Sequence, residues 1–511
     1  MYKLMKESYW ILSSKGECYE KLKEDLEVDT LIVGGGIVGV TTAYLLSKKG
    51  IETAIVDAHK IGYGSSGRNT GKVTSQHGII YSKIRNKYGL DSAKLYHEGN
   101  ESAIDLIEEI VKSNNIDCNF ERLSSFIYSD NENYIEELEE EYQTCKKLGI
   151  DCKYHKSLDI PFDVKGAIEF FNQAQFNPKK YLDALTKECL KLGVKVYEET
   201  PIVDHEEENI YNLKTKDGKT IKALNVILAS HVPWYDGLNL YFAKEKGERS
   251  YLLAGEYERD IPKGMYLSVE DSGFTFKPYC GDGQNLIILG GGDHKVGQCK
   301  NEGEIYEELI HELGEKFKVK QFKCKWSAQD YISFDNIPYI GYVNKKEDNF
   351  YVATGFCKWG MTNGTLASMI IRDLICYRES KFEDIFNPSR TGSVFTTEFI
   401  TQNINVAWKY VSGKLKIGDN NLILEKGESK IVNVDGKRCG AYKDYYGKLY
   451  IVDITCTHLG CELTFNSAEK TWDCPCHASR FDYKGNVIEG PALRNLNRYD
   501  EEKNDIDPKI L

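Results

Sequence analysis

The run Gly34-Gly35-Gly36-Ile37-Val38-Gly39 narrows what this chain can fold into more than any other feature. It reads G-x-G-x-x-G, directly after the strand-like Asp29–Val33 and at the head of the helical stretch Ile37–Lys49, which Gly50 closes. Thr53–Asp57 supplies a second strand, so the segment predicts a βαβ start. Each glycine has its own steric reason. Gly34 permits the tight turn, Gly36 lets a pyrophosphate approach the backbone, and Gly39 lets helix and strand pack closely. Phosphates then rest on the N–H groups of the helix start, at Ile37 and Val38, and on its dipole. Asp57, closing the second strand, is placed to take both ribose hydroxyls. The motif alone does not choose between FAD and NAD.

At 511 residues the chain suits two or three domains. Its formal net charge of -12 argues against a nucleic-acid binder, because no global positive field attracts phosphates. The N-terminal segment has no apolar core and no small-residue cleavage site. The most apolar long stretch, Thr30–Leu46, is short for a membrane span and carries the glycine turn. The expectation is a cytoplasmic protein with no transmembrane segment.

The first 28 residues read as a polar arm. Helices are expected near Asp91–Ser113 and Asn133–Leu148, then mainly strands from about 160 to 345, including Thr220–Leu228 and Asn285–Gly290. Phe350–Ala353 and the glycine-punctuated Gly355–Gly364 lead into a helix near Leu366–Tyr377. Residues 387–411 read as a linker, and 412–511 as a small all-β domain with strands such as Ser429–Val434 and Lys448–Ile454.

Of the 15 cysteines, most sit singly and are expected to be free thiols packed as small hydrophobes. Four cluster. Cys456-Thr457-His458-Leu459-Gly460-Cys461 and Cys474-Pro475-Cys476-His477 give C-x-H followed by C-x-x-H. A [2Fe–2S] cluster with two thiolates on one iron and two imidazoles on the other needs one Cys and one His from each of two loops. Cys456 and Cys474 are the thiolate candidates, His458 and His477 the imidazole candidates. Zinc also accepts two Cys and two His, but its structural sites usually pair like with like.

These two loops resemble those of Rieske domains from quinol-oxidising complexes. That resemblance implies a disulfide between the remaining pair, Cys461 and Cys476. Two positions depart from the motif: Ala478 replaces the usual glycine after the second histidine, and Phe481 a common tyrosine. Ser479, which bonds a bridging sulfide in relatives, is retained.

The first 400 residues resemble the D-amino-acid-oxidase/glycine-oxidase-like flavoproteins. The resemblance rests on Gly62–Gly71, on Phe176-Asn177-Pro178 with Tyr181, on Val226–Ser230, on Asp335–Gly341 and on Ala353–Thr362, in family order. It implies FAD, held by Ser65, Ser66, Arg68, Asn69, Thr70 and Gly71, by Ala229, by Ile202 against the adenine, and by Gly355, Trp359, Gly360, Met361 and Thr362. It also implies an α/β, glutathione-reductase-type FAD-binding domain over about 29–90, 175–235 and 335–380, interleaved with an antiparallel-sheet substrate domain, the whole spanning 29–386. Both halves in this order resemble bacterial FAD-dependent oxidoreductases carrying a C-terminal Rieske domain.

The expected activity is oxidation of a small amine or amino acid by hydride transfer to flavin. Electrons then leave singly through the cluster to a carrier protein or quinone, making the protein a dehydrogenase rather than an oxidase. The other reading is an electron-transfer protein with no organic substrate. In amino-acid-oxidising relatives an arginine before the D-x-x-P-x-x-G turn grips the substrate carboxylate; here that register falls on Asp330, which favours a cationic amine. Arg249, Tyr251, Lys277, Lys72, His77 and Trp359 are further candidates for the pocket.

Overall fold

The computed structural model describes residues 4–207, 210–235, 239–257, 263–271, 273–390, 397–414 and 423–499. Parts of the expected arm (1–3), linker (391–396) and C-terminal domain (415–422, 500–511) lie outside the described residues.

The glycine turn organises the first sheet. Leu26–Val33 pairs in parallel with Thr53–Val56 on one side and Thr220–Leu228 on the other. Lys195–Tyr197 and Phe350–Thr354 extend it in parallel, and Tyr339–Tyr342 closes one edge antiparallel. Such strands are buried on both faces and read as apolar runs, as Thr53–Val56 does with all four residues buried. The helices Ile37–Ser47, Pro178–Lys191 and Gly360–Tyr377 share the largest apolar core with this sheet. Asn177 caps Pro178–Lys191 by accepting from Lys180 N, with Pro178 at the first turn, so the mainly extended region holds a helix where its capping signals stand.

The second sheet is largely antiparallel and includes Gln321–Ser333, Glu245–Glu256, Gln284–Lys295, Thr275–Gly281 and Gly166–Gln175, with Lys72–Val73 at its far edge. The short strand Lys72–Val73 continues the loop after the glycine turn and thereby joins the two sheets. A three-stranded sheet (Ser429–Val434, Lys437–Lys443, Leu449–Asp453) and a four-stranded one (Thr464–Asn466, Thr471–Asp473, Arg480–Asp482, Val487–Glu489) build the small C-terminal domain.

One expectation needs correction. The arm is not merely polar: Trp10, in the helix Tyr9–Ser13, is fully buried and its Nε1 donates to Asn69 O at 2.6 Å. Tyr9 and Ile11 are buried beside it, but an apolar run of barely one turn, Tyr9–Leu12, is too short to show a helical period. Within the expected linker, and just past its bound at 411, runs the helix Thr397–Lys414. Its Asn403 donates to Ala243 O at 3.1 Å, and Val406 packs on the core beneath the cysteine loops.

Candidate functional site

The glycine turn forms as its residue types dictate. Gly34 has φ 117°, and a Cβ on Gly39 would meet Gly34 O at 1.8 Å, so neither position accepts a side chain. Gly36 starts the helix Ile37–Ser47 with no side-chain cap of its own, so that beyond Ile37 N, which Ser66 Oγ takes, the first N–H groups are left for a ligand. Asp57 Oδ2 accepts from Gly35 N at 2.7 Å, fixing the acid beside the turn. A Cβ on Gly36 would lie 2.9 Å from Ser66 Oγ, which accepts from Ile37 N. An open helix start, a close-approach glycine and a fixed acid fit a dinucleotide.

The second loop is built by its own residues. Asn69 donates to Ser65 O and Ser66 O and accepts from Gly71 N. Ser65 Oγ donates to Gln329 O at 2.7 Å, and Trp326 donates to Arg68 O at 2.8 Å. Arg68 pairs with Glu7 of the N-terminal segment at 2.9 Å. Ala229 lies against Gly34, and Ile202 is buried at the start of the strand Ile202–Glu207.

The third loop, Gly355–Trp359, enters the helix Gly360–Tyr377. Three of its residues take the left-handed conformation: Gly355, Cys357 (φ 54°) and Lys358 (φ 72°). Non-glycine residues there cost on the order of 1–3 kcal/mol each and need outside support. Asp330 supplies it by accepting from Lys358 N; its other oxygen accepts from Tyr331 N and faces His231 Nε2 at 3.0 Å. Asp330 is thus fully engaged in holding this loop. Glu245, buried and pushed up to about 8 by desolvation, bonds Thr354 Oγ1 and faces Gly355.

The remaining pocket candidates separate into two groups. Lys72, His77, Lys277 and Trp359 lie where the sheets meet. His77 stacks on Trp359 at 4.7 Å and bonds Tyr96 and Thr362, and burial lowers its pKa to about 3, so it is neutral. Lys277 donates to Gln175 at 2.8 Å, and Lys72 to Tyr266 O at 2.7 Å. Neither buried amine has a carboxylate within ion-pair distance among the described residues, and desolvation lowers both, Lys72 to about 7. Arg249 and Tyr251 belong elsewhere, facing the C-terminal domain. Arg249 pairs with Glu469 and Tyr251 OH meets Asn466.

In the C-terminal domain, Cys456 and Cys474 are buried and hydrogen-bonded to each other, which pulls the Cys456 thiol down to about 7 and pushes Cys474 up. The rings of His458 and His477 stand 5.1 Å apart, and burial holds both neutral, at about 4 and about 3. Both Nδ1 atoms are buried with no hydrogen-bond partner. Two adjacent thiols and two orphaned imidazole nitrogens are the donor set of a [2Fe–2S] cluster with mixed ligation. Cys461 and Cys476 are joined in a disulfide that ties the loops together. Ala478 sits at φ 63°, which explains why glycine is usual there.

The histidine edge faces the larger module. Phe242 lies 5.3 Å from the His458 ring and 5.0 Å from the His477 ring, edge-on to both. A buried network also crosses between the modules. Glu469 binds Arg249, Arg480 and Ser327, while Glu489 meets His231 Nδ1 at 3.3 Å and Arg480 at 3.8 Å. Phe242 and His231 escaped the sequence reading. His231 closely follows the buried strand Thr220–Leu228, and that position was its one signal.

The chain matches the family described as FAD dependent oxidoreductase over residues 29–374 and the Rieske [2Fe-2S] domain over residues 417–500. It is 40% identical over 496 residues to YhfW of Bacillus subtilis, whose name describes a Rieske 2Fe-2S iron-sulfur protein, covering 97% of each chain. It is 22% identical to gamma-glutamylputrescine oxidoreductase of Escherichia coli over 74% of this chain and 91% of that one. Its fold is that of glycine oxidase from Geobacillus kaustophilus, with a TM-score of 0.61 at 18% identity over 71% of this chain and 99% of that one.

Proposed function

Since the chain belongs to the FAD dependent oxidoreductase family and ends in a Rieske [2Fe–2S] domain, with FAD and that cluster as its cofactors, we propose that it oxidises a small amine or amino acid and passes the electrons through its own cluster to a one-electron carrier. The observation that carries this reading is the contact of Phe242 with both His458 and His477. FAD supplies a hydride acceptor that can give up electrons singly, and the cluster accepts one at a time.

The residues divide the work. Gly34, Gly36, Gly39 and Asp57 hold the dinucleotide, and the Gly62–Gly71 loop covers it. Asp330 is a positioning residue that keeps the Gly355–Trp359 loop in its left-handed form. Phe242 excludes water from the histidine edge, and three residues on Glu245 reaches the Gly355 loop. One short segment therefore touches both the flavin-side loop and the cluster ligands. Fixed docking keeps the acceptor at high local concentration.

The substrate class draws on the relatives, whose names include a gamma-glutamylputrescine oxidoreductase and a glycine oxidase. The neutral His77, the Trp359 face and the buried amines Lys72 and Lys277 form the polar-lined region where such a molecule would lie. The test is an anaerobic screen of amines and amino acids, following flavin bleaching and the EPR signal of the reduced cluster in one sample. An active substrate bleaches the flavin and then raises the cluster signal. Bleaching that never reaches the cluster refutes the relay; a flavin that only a reduced protein carrier bleaches refutes the substrate.

A further inference from the structure

We propose that His294, Cys299 and Glu302 form a binding site for a zinc-class divalent cation, separate from the cluster ligands. His294 lies at the end of the strand Gln284–Lys295, Cys299 in the loop that follows, and Glu302 at the first turn of the helix Glu302–Phe317. One donor atom from each lies within 4.8 Å of the other two. Zinc bonds of about 2.0–2.3 Å place tetrahedral ligands roughly 3.3–3.8 Å apart, so a contraction of about 1 Å closes the site.

Two further observations point to a cation. The first is the setting of His294. Its Nδ1 is 3.1 Å from Gly292 O, and the ring stacks on Tyr251 at 5.6 Å. A carbonyl on one ring nitrogen fixes the tautomer and leaves Nε2 with its lone pair, which is the usual support of a metal-ligating histidine. The second is the charge of Glu302. Its side chain is buried and accepts from its own N–H and from that of Ser467, but no lysine, arginine or histidine lies within ion-pair distance of it among the described residues, and burial with the acids Asp473 and Glu469 nearby pushes its pKa up. A buried carboxylate without a cation is costly, and a bound divalent ion offsets that cost.

The donors choose the ion. A thiolate beside imidazole and carboxylate suits zinc and disfavours calcium or magnesium, which take oxygen ligands. Three protein donors leave one position for water. Cys299 and His294 are only partly buried, which gives the ion a way in. The place suggests the purpose. Thr464 Oγ1 donates to Gly297 O at 3.0 Å, and Gln298 Nε2 to Pro475 O at 3.1 Å, so the same loop carries the Cys474–His477 turn of the cluster domain. A cation here would pin that loop at both ends. The inference stands on these residues alone and does not depend on the proposed redox reaction.

The experiment uses the full-length protein with FAD and cluster bound, freed of loosely held metal by a mild chelator and titrated with Zn²⁺ by calorimetry. One equivalent should bind, and zinc-edge X-ray absorption should show one sulfur at about 2.3 Å and N/O donors at about 2.0–2.1 Å. Cys299→Ser and His294→Gln should each weaken binding more than about a hundredfold, since even the loss of a supporting residue costs 10–100-fold. Retained flavin and cluster absorbance verifies that the variants fold. In the native protein, Zn²⁺ should also slow alkylation of Cys299 but not of the exposed Cys18 and Cys280. No saturable binding, a zinc edge without sulfur, equal affinity in both variants, or unprotected Cys299 would each overturn the site.

Discussion

Ala478 occupies the space that a side chain on Gly247 would need: a Cβ built on Gly247 would lie 2.2 Å from the Ala478 Cβ. The two residues belong to different modules, one in the strand Glu245–Glu256, the other next to His477, a proposed cluster ligand. Val232, Val296, Tyr331 and Ala478 form a small core across this junction, and Gln329 donates to Ala478 O at 2.9 Å. The methyl that strains the turn at φ 63° is therefore also the peg that seats the domain.

Gly247→Ala should unseat the cluster domain without unfolding either module. Overpacking costs about 1–3 kcal/mol, and here the clash is concentrated at the docking face. Stopped-flow mixing with a substrate should show flavin bleaching at the native rate and cluster reduction slowed by about tenfold or more. An unchanged second phase would mean that the junction is not on the electron path.

Asp330→Asn should act on the flavin and not on the cluster. The substitution keeps shape but removes the charge that accepts from Lys358 N and meets His231. Charge-assisted hydrogen bonds contribute roughly 1.5–3 kcal/mol, so FAD affinity should fall by about tenfold to a hundredfold as Cys357 and Lys358 leave the left-handed region. Equilibrium release of FAD, read by fluorescence, measures it, and the cluster EPR spectrum serves as the internal control.

How much of this was legible before the fold was known differs by kind of residue. Gly34, Gly36, Gly39 and Asp57 stand out in the sequence because each answers to a steric or charge demand within a short stretch, and Cys456, His458, Cys474 and His477 because they carry the spacing that ligation of a cluster would impose. Asp330 could be located by register, but its partners could not. Lys358 and His231 come from 28 and 99 residues away and meet it only through the packing of two sheets. Arg249 and Tyr251 are candidates for the pocket by sequence. They face Glu469 and Asn466 because a domain docks on that sheet, and nothing local to their strand announces it.

The docking should depend on pH through His231. Burial opposes its charge, but hydrogen bonds with Asp330 and Glu489 outweigh that and raise its pKa to about 10. An unfolded histidine titrates near 6.5, so the contribution is fully present below about pH 6.5 and is lost as pH climbs through about 10. Glu489 behaves oppositely. Burial would raise it, but the His231 bond and nearby arginines hold it below its usual value. Its contribution is therefore present above the ordinary carboxylate range and lost as pH falls through the depressed value. Thermal unfolding between pH 7 and 10.5 should show declining stability in the native protein and a flatter profile in His231→Gln. Parallel profiles would remove His231 from the junction.

Phe481→Tyr should raise the reduction potential of the cluster. Phe481 is fully buried in the core beneath the cysteine loops, with Cys456 and Cys474 in the same apolar cluster. Hydrogen bonds to cluster sulfurs favour the more negative, reduced state, and phenylalanine offers no donor where relatives offer a hydroxyl. Ser479 retains its hydroxyl, which reaches the Cys456 sulfur, so one of two expected donors is present. For one electron about 1.4 kcal/mol corresponds to about 59 mV, and a charge-assisted bond of roughly 1.5–3 kcal/mol therefore sets a ceiling of about 60–130 mV. Phe481→Tyr should gain part of that range, and Ser479→Ala should shift the potential the other way. Redox titration followed by EPR decides it. The sign is the discriminating quantity, because a donor near sulfur favours added negative charge whatever the local dielectric, and a potential that stays put or falls on introducing the tyrosine means that its hydroxyl does not reach the sulfur.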